Sequence, residues 1–288
     1  MNPDAVRKEL VKEISKRLDS VGILYRIFSR SKTNSSLTKK LSNDAQYGLT
    51  KKLQDLIGIR IVLYFNEDIS NARDIISSMY SEVSKDHSID HFKSDEFKAL
   101  RYNIIYNLKE EQVNIIDLKE LSEKIDSTFE LQIRTVFSEG WHEVEHDLRY
   151  KCKNDWNGND QYSRRLNGVY ASLETNEWTM IQIFEELAYC HYKAGDYSAM
   201  IRQKFRLRFN DTIISPEIID IFSRNNIAKK FFRMDRSEII KKMSKLFNYP
   251  LTMDNFICFC NLVIMKDQEL IKLTPDLMKE ELELFTDD

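Results

Sequence analysis

The stretch from Leu56 to Phe65 is an apolar run (Leu56, Ile57, Ile59, Ile61, Val62, Leu63) with one charged side chain, Arg60, in its middle. A short continuous run of this kind, rich in β-branched residues, predicts a strand buried on both faces. Arg60 then needs an anionic partner, because an unpaired buried charge is costly. An ion pair with some carboxylate would satisfy it. Asp55 stands at the mouth of the same strand, and its hard carboxylate oxygens suit Mg2+.

A second strand is read at Thr128–Ile133, and the pattern Phe129-Glu-Leu-Gln-Ile-Arg134 carries more than burial. Alternation sends Glu130, Gln132 and Arg134 to one face and Phe129, Leu131 and Ile133 to the other. Three polar side chains on one face of a core strand make a candidate site, and an exposed amphipathic strand gives the same pattern. Further strands are expected at Tyr102–Tyr106 and Val113–Leu118. Helical spacing marks residues 5–28 as one or two amphipathic helices, then Leu37–Leu41 with Ser35 or Ser36 as its cap, and Asp68–Tyr80. Two more helices are expected around Val136–Leu148 and from Arg164 to His191.

Strands interleaved with helices give way to helices alone near residue 160. The expected fold is therefore α+β, a mixed sheet flanked by helices, followed by a mainly helical C-terminal region. The polar segment Lys153–Gln161 is the boundary candidate, dividing the chain into residues 1–160 and 161–288. In the second part, Arg202, Lys204, Arg206 and Arg208 alternate with Phe205, Leu207 and Phe209, which fits an amphipathic strand, a partner surface or a solvated face. The acidic end, Lys279–Asp288, reads as a solvated helix end or tail.

Composition limits the function classes. With 288 residues, 42% hydrophobic and 31% charged, the chain can bury a full core, and 7 Gly and 4 Pro leave little for long linkers. A formal charge of −3 gives no general footprint for nucleic acid or an anionic membrane, so any anion site must be a local cluster. Cys152, Cys190, Cys258 and Cys260 form no CxxC pair and are read as reduced thiols of a cytoplasmic protein. No signal peptide or membrane span is expected, because the most apolar late stretch, Phe256–Met265, has the length of a core helix.

Two further segments carry chemistry. Arg30-Ser-Lys32-Thr-Asn-Ser-Ser36-Leu-Thr-Lys-Lys40 is a basic, hydroxyl-rich turn running into a helix, suited to a polyphosphate or simply to solvent. Trp141–Lys151 is a helix dense in titratable groups, and His142-Glu143-Val-Glu145-His146 has the HExxH spacing of a zinc site. No third ligand stands at a familiar distance, and zinc would leave the basic segment unexplained.

In order and spacing, these segments resemble the synthetase domain of the RelA/SpoT family over about Leu18–Lys151. Arg30, Lys32, Ser36 and Lys40 fall on its RxKxxxSxxxK pattern, Asp55–Ile61 on its DxxGxRI strand and Glu130–Thr135 on its ExQIRT strand. Trp141, Glu145, His146, Tyr150 and Lys151 fall on its W-x-x-x-E-H-x-x-x-Y-K helix, which makes the HExxH match a coincidence. The resemblance implies ATP-dependent transfer of a β,γ-pyrophosphate to the 3′-hydroxyl of GDP or GTP, giving (p)ppGpp with release of AMP. By the same carry-over Arg30, Lys32, Ser36, Lys40 and Arg60 would bind ATP. Asp55 and Glu130 would position Mg2+, Glu130 would also be the base, and Asp55, Glu130 and Arg60 would form the catalytic set. Gln132, Arg134 and His146 are expected on the acceptor side.

One departure bears on the acceptor. The family's G-Y-x-S-L-H loop has its best counterpart here in Glu96-Phe-Lys-Ala-Leu-Arg101, so Phe97, Lys98 and Arg101 become the acceptor candidates. Phe97 keeps a stacking face without the hydroxyl, and Arg101 brings a fixed charge in place of an imidazole. Transfer to an adenosine nucleotide or a tRNA 3′ end, and nucleotide binding without turnover, therefore stand as alternatives. The family also implies a possible homo-oligomer.

Overall fold

The computed structural model describes residues 2–83, 88–89, 102–116, 118, 121–224 and 226–283. Helix α1 (Pro3–Ser20) buries Val6, Leu10, Ile14 and Leu18 at helical spacing. Its end is set by Gly22, whose φ of +73° lies in the left-handed region that suits glycine. The expectation of helix through residue 28 is overturned there, and the next element is strand β1 (Tyr25–Ser31). The spacing of Ile23 and Ile27 imitates helical periodicity, while β1 is an edge strand that buries only Tyr25 and then alternates between exposed and half-buried residues.

After β1 come α2 (Asn34–Asn43), β2 (Ile57–Leu63), α3 (Asp68–Ser77), β3 (Ser88–Ile89) and β4 (Tyr102–Asn107). Then follow α4 (Glu110–Ile116), β5 (Thr128–Thr135), α5 (Val136–Glu145), a π-helical turn (His146–Tyr150), α6 (Lys153–Trp156) and α7 (Asp160–Ala194). The cap of α2 is Thr33, whose hydroxyl accepts from Ser36 N, and not Ser35 or Ser36. The strand expected at Val113–Leu118 is overturned where it is described, since residues 113–116 belong to α4, which buries Gln112 and Ile116, one helical turn apart, and Gln112 Oε1 accepts from Lys109 N at its start.

The described strands form one mixed sheet in the order β1-β2-β5-β4-β3, with β2 and β5 parallel and the other neighbours antiparallel. This bears out the α+β expectation. Helix α3 packs on β5 and buries Ile69, Ala72, Ile75 and Ile76, while Ile59, Ile61, Phe129, Leu131 and Ile133 are almost fully covered. Each such side chain contributes roughly 1.5–3 kcal/mol relative to exposure.

The chain divides into two compact units, Met1–Ser15 with Tyr25–Glu177, and Lys16–Leu24 with Trp178–Asp288. The division falls inside α7. The second unit continues with α8 (Tyr197–Phe205), α9 (Pro216–Arg224), α10 (Ile227–Phe232), α11 (Arg236–Leu246) and α12 (Met253–Cys260). A π-helical turn (Asn261–Met265), α13 (Gln268–Leu273) and α14 (Asp276–Glu283) complete it. Its core contains Phe205, Phe222, Phe231, Phe256 and Phe259. The stretch Arg202–Arg208 is the end of α8 and the residues after it, not a strand. Lys204 and Arg206 both pair with Glu185, at 2.8 and 3.0 Å, and Arg206 is 5% exposed, so it is no solvated face. All four cysteines are free thiols. Among the described residues, no helix is long and apolar enough to cross a membrane.

Candidate active site

The registers of β1, β2 and β5 decide which side chains share a face. Arg30 pairs with Gly58 and Phe28 with Arg60 across the antiparallel pair, and Gly58 pairs with Glu130 and Arg60 with Gln132 across the parallel one. Phe28, Arg30, Arg60, Glu130, Gln132 and Arg134 therefore project from one side of the sheet. At Gly58 a Cβ would meet Arg30 Cγ at 3.7 Å, an ordinary contact, so the glycine leaves open floor beside the Arg30 stem.

Helix α5 lies over this face, packed against β5 and β2. Its start is held by a reciprocal cap, in which Thr135 Oγ1 accepts from Ser138 N and Ser138 Oγ accepts from Thr135 N. Further along, Trp141 packs on Tyr170 of α7 with ring centroids 4.9 Å apart and donates to Leu166 O. The expected helix to Leu148 stops at Glu145, and the π-helical turn carries on. Along α5 and this turn, the rings of His142, His146 and Tyr150 stack in succession at 5.9 and 5.5 Å.

The arginines find their partners on α5. Arg60 donates from Nε to Gln132 Oε1 at 3.0 Å, and from one terminal nitrogen to Glu139 Oε1 at 2.5 Å and Glu143 Oε1 at 2.6 Å. Arg134, 6% exposed, donates to Glu139 Oε2 at 2.8 Å. Burial works against the Arg60 charge, and the bonds to Glu139 and Glu143 more than offset it, raising its basicity. For Arg134, burial and then the field of Arg60 win, so its basicity is lowered. The hydrogen bond from Arg60 holds the Glu143 carboxyl below its ordinary value.

Asp55 is held by lysines. Lys32 Nζ lies 3.0 Å and Lys40 Nζ 2.9 Å from its Oδ2. Burial alone would raise the Asp55 pKa, but hydrogen bonds from Lys40 and Lys32 outweigh it and the carboxyl sits below its ordinary value. Glu130 accepts from Gln132 Nε2 at 3.3 Å, which links it to Arg60 through the same amide.

Two cavities open here. One, of about 1120 Å3, is lined by Lys40, Lys51, Lys52, Asp55, Asp126 and Glu130 among others. The other, of about 620 Å3, is lined by Phe28, Arg30, Arg60, Gln132, Arg134 and His146, with Glu139 and Glu143 on its α5 side and Glu130 at its edge. Glu130 thus belongs to both. The structure brings Arg30 and Arg60 together with Gln132, Arg134 and His146, and Lys40 together with Asp55 and Glu130. Lys32 reaches this second group through Asp55, and Ser36 lies in the first turn of α2, hydrogen-bonded to Thr33. Phe97, Lys98 and Arg101 lie outside the described residues.

The fit of Mg2+ can be judged from the donor set. Asp55 and Glu130 share one cavity with two further carboxylates, Glu123 and Asp126, and with ammonium groups, a donor set that suits an ion taking one or two protein carboxylates and filling its shell with phosphate oxygens and water. Among the described residues, no group of three His, Cys, Asp or Glu could enclose a metal, and His142 and His146 do not form one. Glu139 was not singled out in the sequence. The signal for it was the partner that Arg60 required, together with its place one turn before Glu143.

Residues 29–155 match a family model described as a region found in RelA / SpoT proteins. This stretch is a RelA/SpoT-family region. No curated protein matches the chain. Among solved structures, small alarmone synthetase 2 from Bacillus subtilis is 21% identical, with a TM-score of 0.45 and coverage of 64% of this chain and 97% of that one. A GTP pyrophosphokinase family protein from Streptococcus pneumoniae is 22% identical, with a TM-score of 0.44 and coverage of 62% and 86%. Small alarmone synthetase 1 from Bacillus subtilis is 21% identical, with a TM-score of 0.42 and coverage of 62% and 92%.

Proposed function

We propose that the first unit is an ATP-dependent nucleotide pyrophosphokinase of the alarmone-synthetase type, transferring the β,γ-pyrophosphate of ATP to the 3′-hydroxyl of GDP or GTP. The observation that carries this reading is the position of Glu130, on both the Lys40–Asp55 cavity and the Arg30–Arg60 cavity. A base in that position stands beside donor-binding cations on both sides, Lys40 on one and Arg30 with Arg60 on the other, and beside the acceptor candidates Gln132, Arg134 and His146 on the second. The RelA/SpoT region at residues 29–155 supports the same chemistry.

In this mechanism Arg30, Lys32, Ser36 and Lys40 bind the triphosphate donor, and Arg60 holds it from the strand beside them. Glu130 takes the proton of the acceptor's 3′-hydroxyl as that oxygen bonds to the β-phosphorus, and the bond to the α-phosphate oxygen breaks to release AMP. Bound Mg2+, held by Asp55 and Glu130, would supply charge neutralisation on the transferring phosphates. Gln132, Arg134 and His146 contact the acceptor, together with Phe97, Lys98 and Arg101.

Incubation with labelled ATP, Mg2+ and GDP or GTP tests this, the expected product being a guanosine nucleotide carrying a 3′-pyrophosphate. Glu130→Gln should lower turnover by about 100-fold or more, with an unchanged melting temperature. A panel that includes adenosine nucleotides and tRNA reads the acceptor. Label appearing on none of them would sink the proposal.

A further inference from the structure

The basic face of the sheet has a problem that its strands cannot solve alone. Arg60 and Arg134 stand on neighbouring parallel strands and on the same side, since Arg60 is level with Gln132 and Arg134 with Val62. Two guanidinium groups so placed repel each other, and one of them is 6% exposed. Leaving either without an anion would be strongly unfavourable.

Two acids on α5 answer this, and they are not equivalent. Glu139, 17% exposed, uses one oxygen for Arg60 at 2.5 Å and the other for Arg134 at 2.8 Å. Glu143, 55% exposed, reaches Arg60 alone. Glu139 also stands on the better anchored part of the helix, next to Ser138 of the reciprocal cap and one turn from Thr135. From Arg60 the hydrogen bonds continue through Gln132 to Glu130.

We infer that Glu139 is a positioning residue: its carboxylate bridges Arg60 and Arg134, fixes the orientation of the Arg60 guanidinium, and through Gln132 sets the orientation of Glu130. Gln132 can accept from Arg60 only with its oxygen, so its amide nitrogen is left pointing to Glu130. If Arg60 turns away, nothing determines which end of the Gln132 amide faces Glu130. Glu143 is the outer partner of Arg60, which an anionic ligand can replace without disturbing Arg134. The catalytic part of this inference rests on the proposed pyrophosphoryl transfer, whereas the positioning part does not.

The test uses the full chain, with Glu139→Gln, Arg60→Met and the double variant, each checked by thermal melting. Two readouts are taken. The first is the Nε–H signal of Arg60 in nitrogen-15 NMR spectra, assigned by its loss in Arg60→Met, and its rate of exchange with water. Glu139→Gln should broaden this signal or speed its exchange by about 10-fold or more, while Glu143→Gln should leave it visible. The second is turnover with ATP, Mg2+ and the acceptor that the panel identifies. Glu139→Gln should lower kcat by about 100-fold, the scale expected for a misplaced reacting group. In the Arg60→Met background the same substitution should lower it by less than about 3-fold, because the residue acts through Arg60. A merely structural role predicts an equal loss in both backgrounds and an unchanged Arg60 signal, and either result overturns the inference. If the wild-type protein transfers pyrophosphate to no acceptor, the proposed function fails and the Arg60 signal alone decides the positioning role.

Discussion

Glu177 offers a prediction that is independent of any substrate. It lies on α7, is 7% exposed, accepts a hydrogen bond from the Thr135 hydroxyl, and has no partner for Oε1. Burial raises its pKa above the ordinary glutamate value, and nearby Glu174 adds to the effect against the opposing Thr135 bond. The native state therefore holds this proton more tightly than the unfolded chain. Relative to the unfolded chain there is no penalty below the unfolded value of roughly 4.3; stability then falls as the pH rises through the native value and is level above it. Glu177→Gln cannot ionise, keeps the shape, and still presents a carbonyl to Thr135.

The size follows from one poorly satisfied buried group. Such a group costs about 1–3 kcal/mol, and more when charged. The amide nitrogen of glutamine will itself lack a partner, so a gain of about 1–2 kcal/mol at neutral pH is expected. At roughly 2–4 °C per kcal/mol for a domain of this size class, the melting temperature should rise by about 2–8 °C. Scanning calorimetry of both proteins from about pH 3 to 8, a range that begins below the unfolded value, checks this. The gap between them should widen with pH. A gap that is constant across the range, or a variant less stable at pH 8, would refute the argument.

Other expectations follow from single contacts. Lys40→Met leaves Asp55 with Lys32 alone and removes a cation from the larger cavity; a non-hydrolysable ATP analogue should bind about 10-fold more weakly by calorimetry, in line with a charged hydrogen bond. Asp55→Asn should lower stability by about 1 kcal/mol at pH 7. Because the native Asp55 pKa is depressed, that difference is complete above the unfolded value and disappears as the pH falls through the native one, which acid titrations of both proteins would show. Gly22→Ala should destabilise by about 1–3 kcal/mol in denaturant unfolding, since φ is +73° and a Cβ would stand 2.3 Å from Leu251 Cδ2.

Much of the polar sheet face was legible because β-alternation is a local property. The residues of Phe129–Arg134 could be sorted onto two faces from the sequence, and the burial of Phe129, Leu131 and Ile133 follows that sorting. The need of Arg60 for an anion was legible as well. The identity of that anion was not, because Glu139 and Glu143 reach it only once α5 has folded back over the sheet. Strand β1 was hidden for a different reason. Ile23 and Ile27 continue the spacing of Leu10, Ile14 and Leu18, and only the left-handed backbone at Gly22 separates the two periods. Residues 113–118 misled in the opposite sense, since Val113, Ile115 and Ile116 are β-formers by type while Gln112 and Ile116 are the positions buried.

The network also bears on how a polyanion could enter. The basic groups have anionic partners within the chain: Lys32 and Lys40 with Asp55, and Arg60 and Arg134 with Glu139. Binding of phosphate to these cations must therefore exchange one anion for another, so the net gain is smaller than a count of lysines and arginines suggests. On the Asp55 side, a divalent cation changes this balance. If held there, it would give the carboxylate a new partner and would leave the two ammonium groups for phosphate oxygens. On the α5 side no such exchange is required of Glu139, because Glu143 is the acid exposed to replacement. Nucleotide affinity should accordingly depend steeply on Mg2+ through Asp55, and Asp55→Asn should flatten that dependence while Glu143→Gln leaves it in place. Titration of an ATP analogue with and without Mg2+ separates the two, and equal Mg2+ dependence in wild type and Asp55→Asn would remove Asp55 from the metal site.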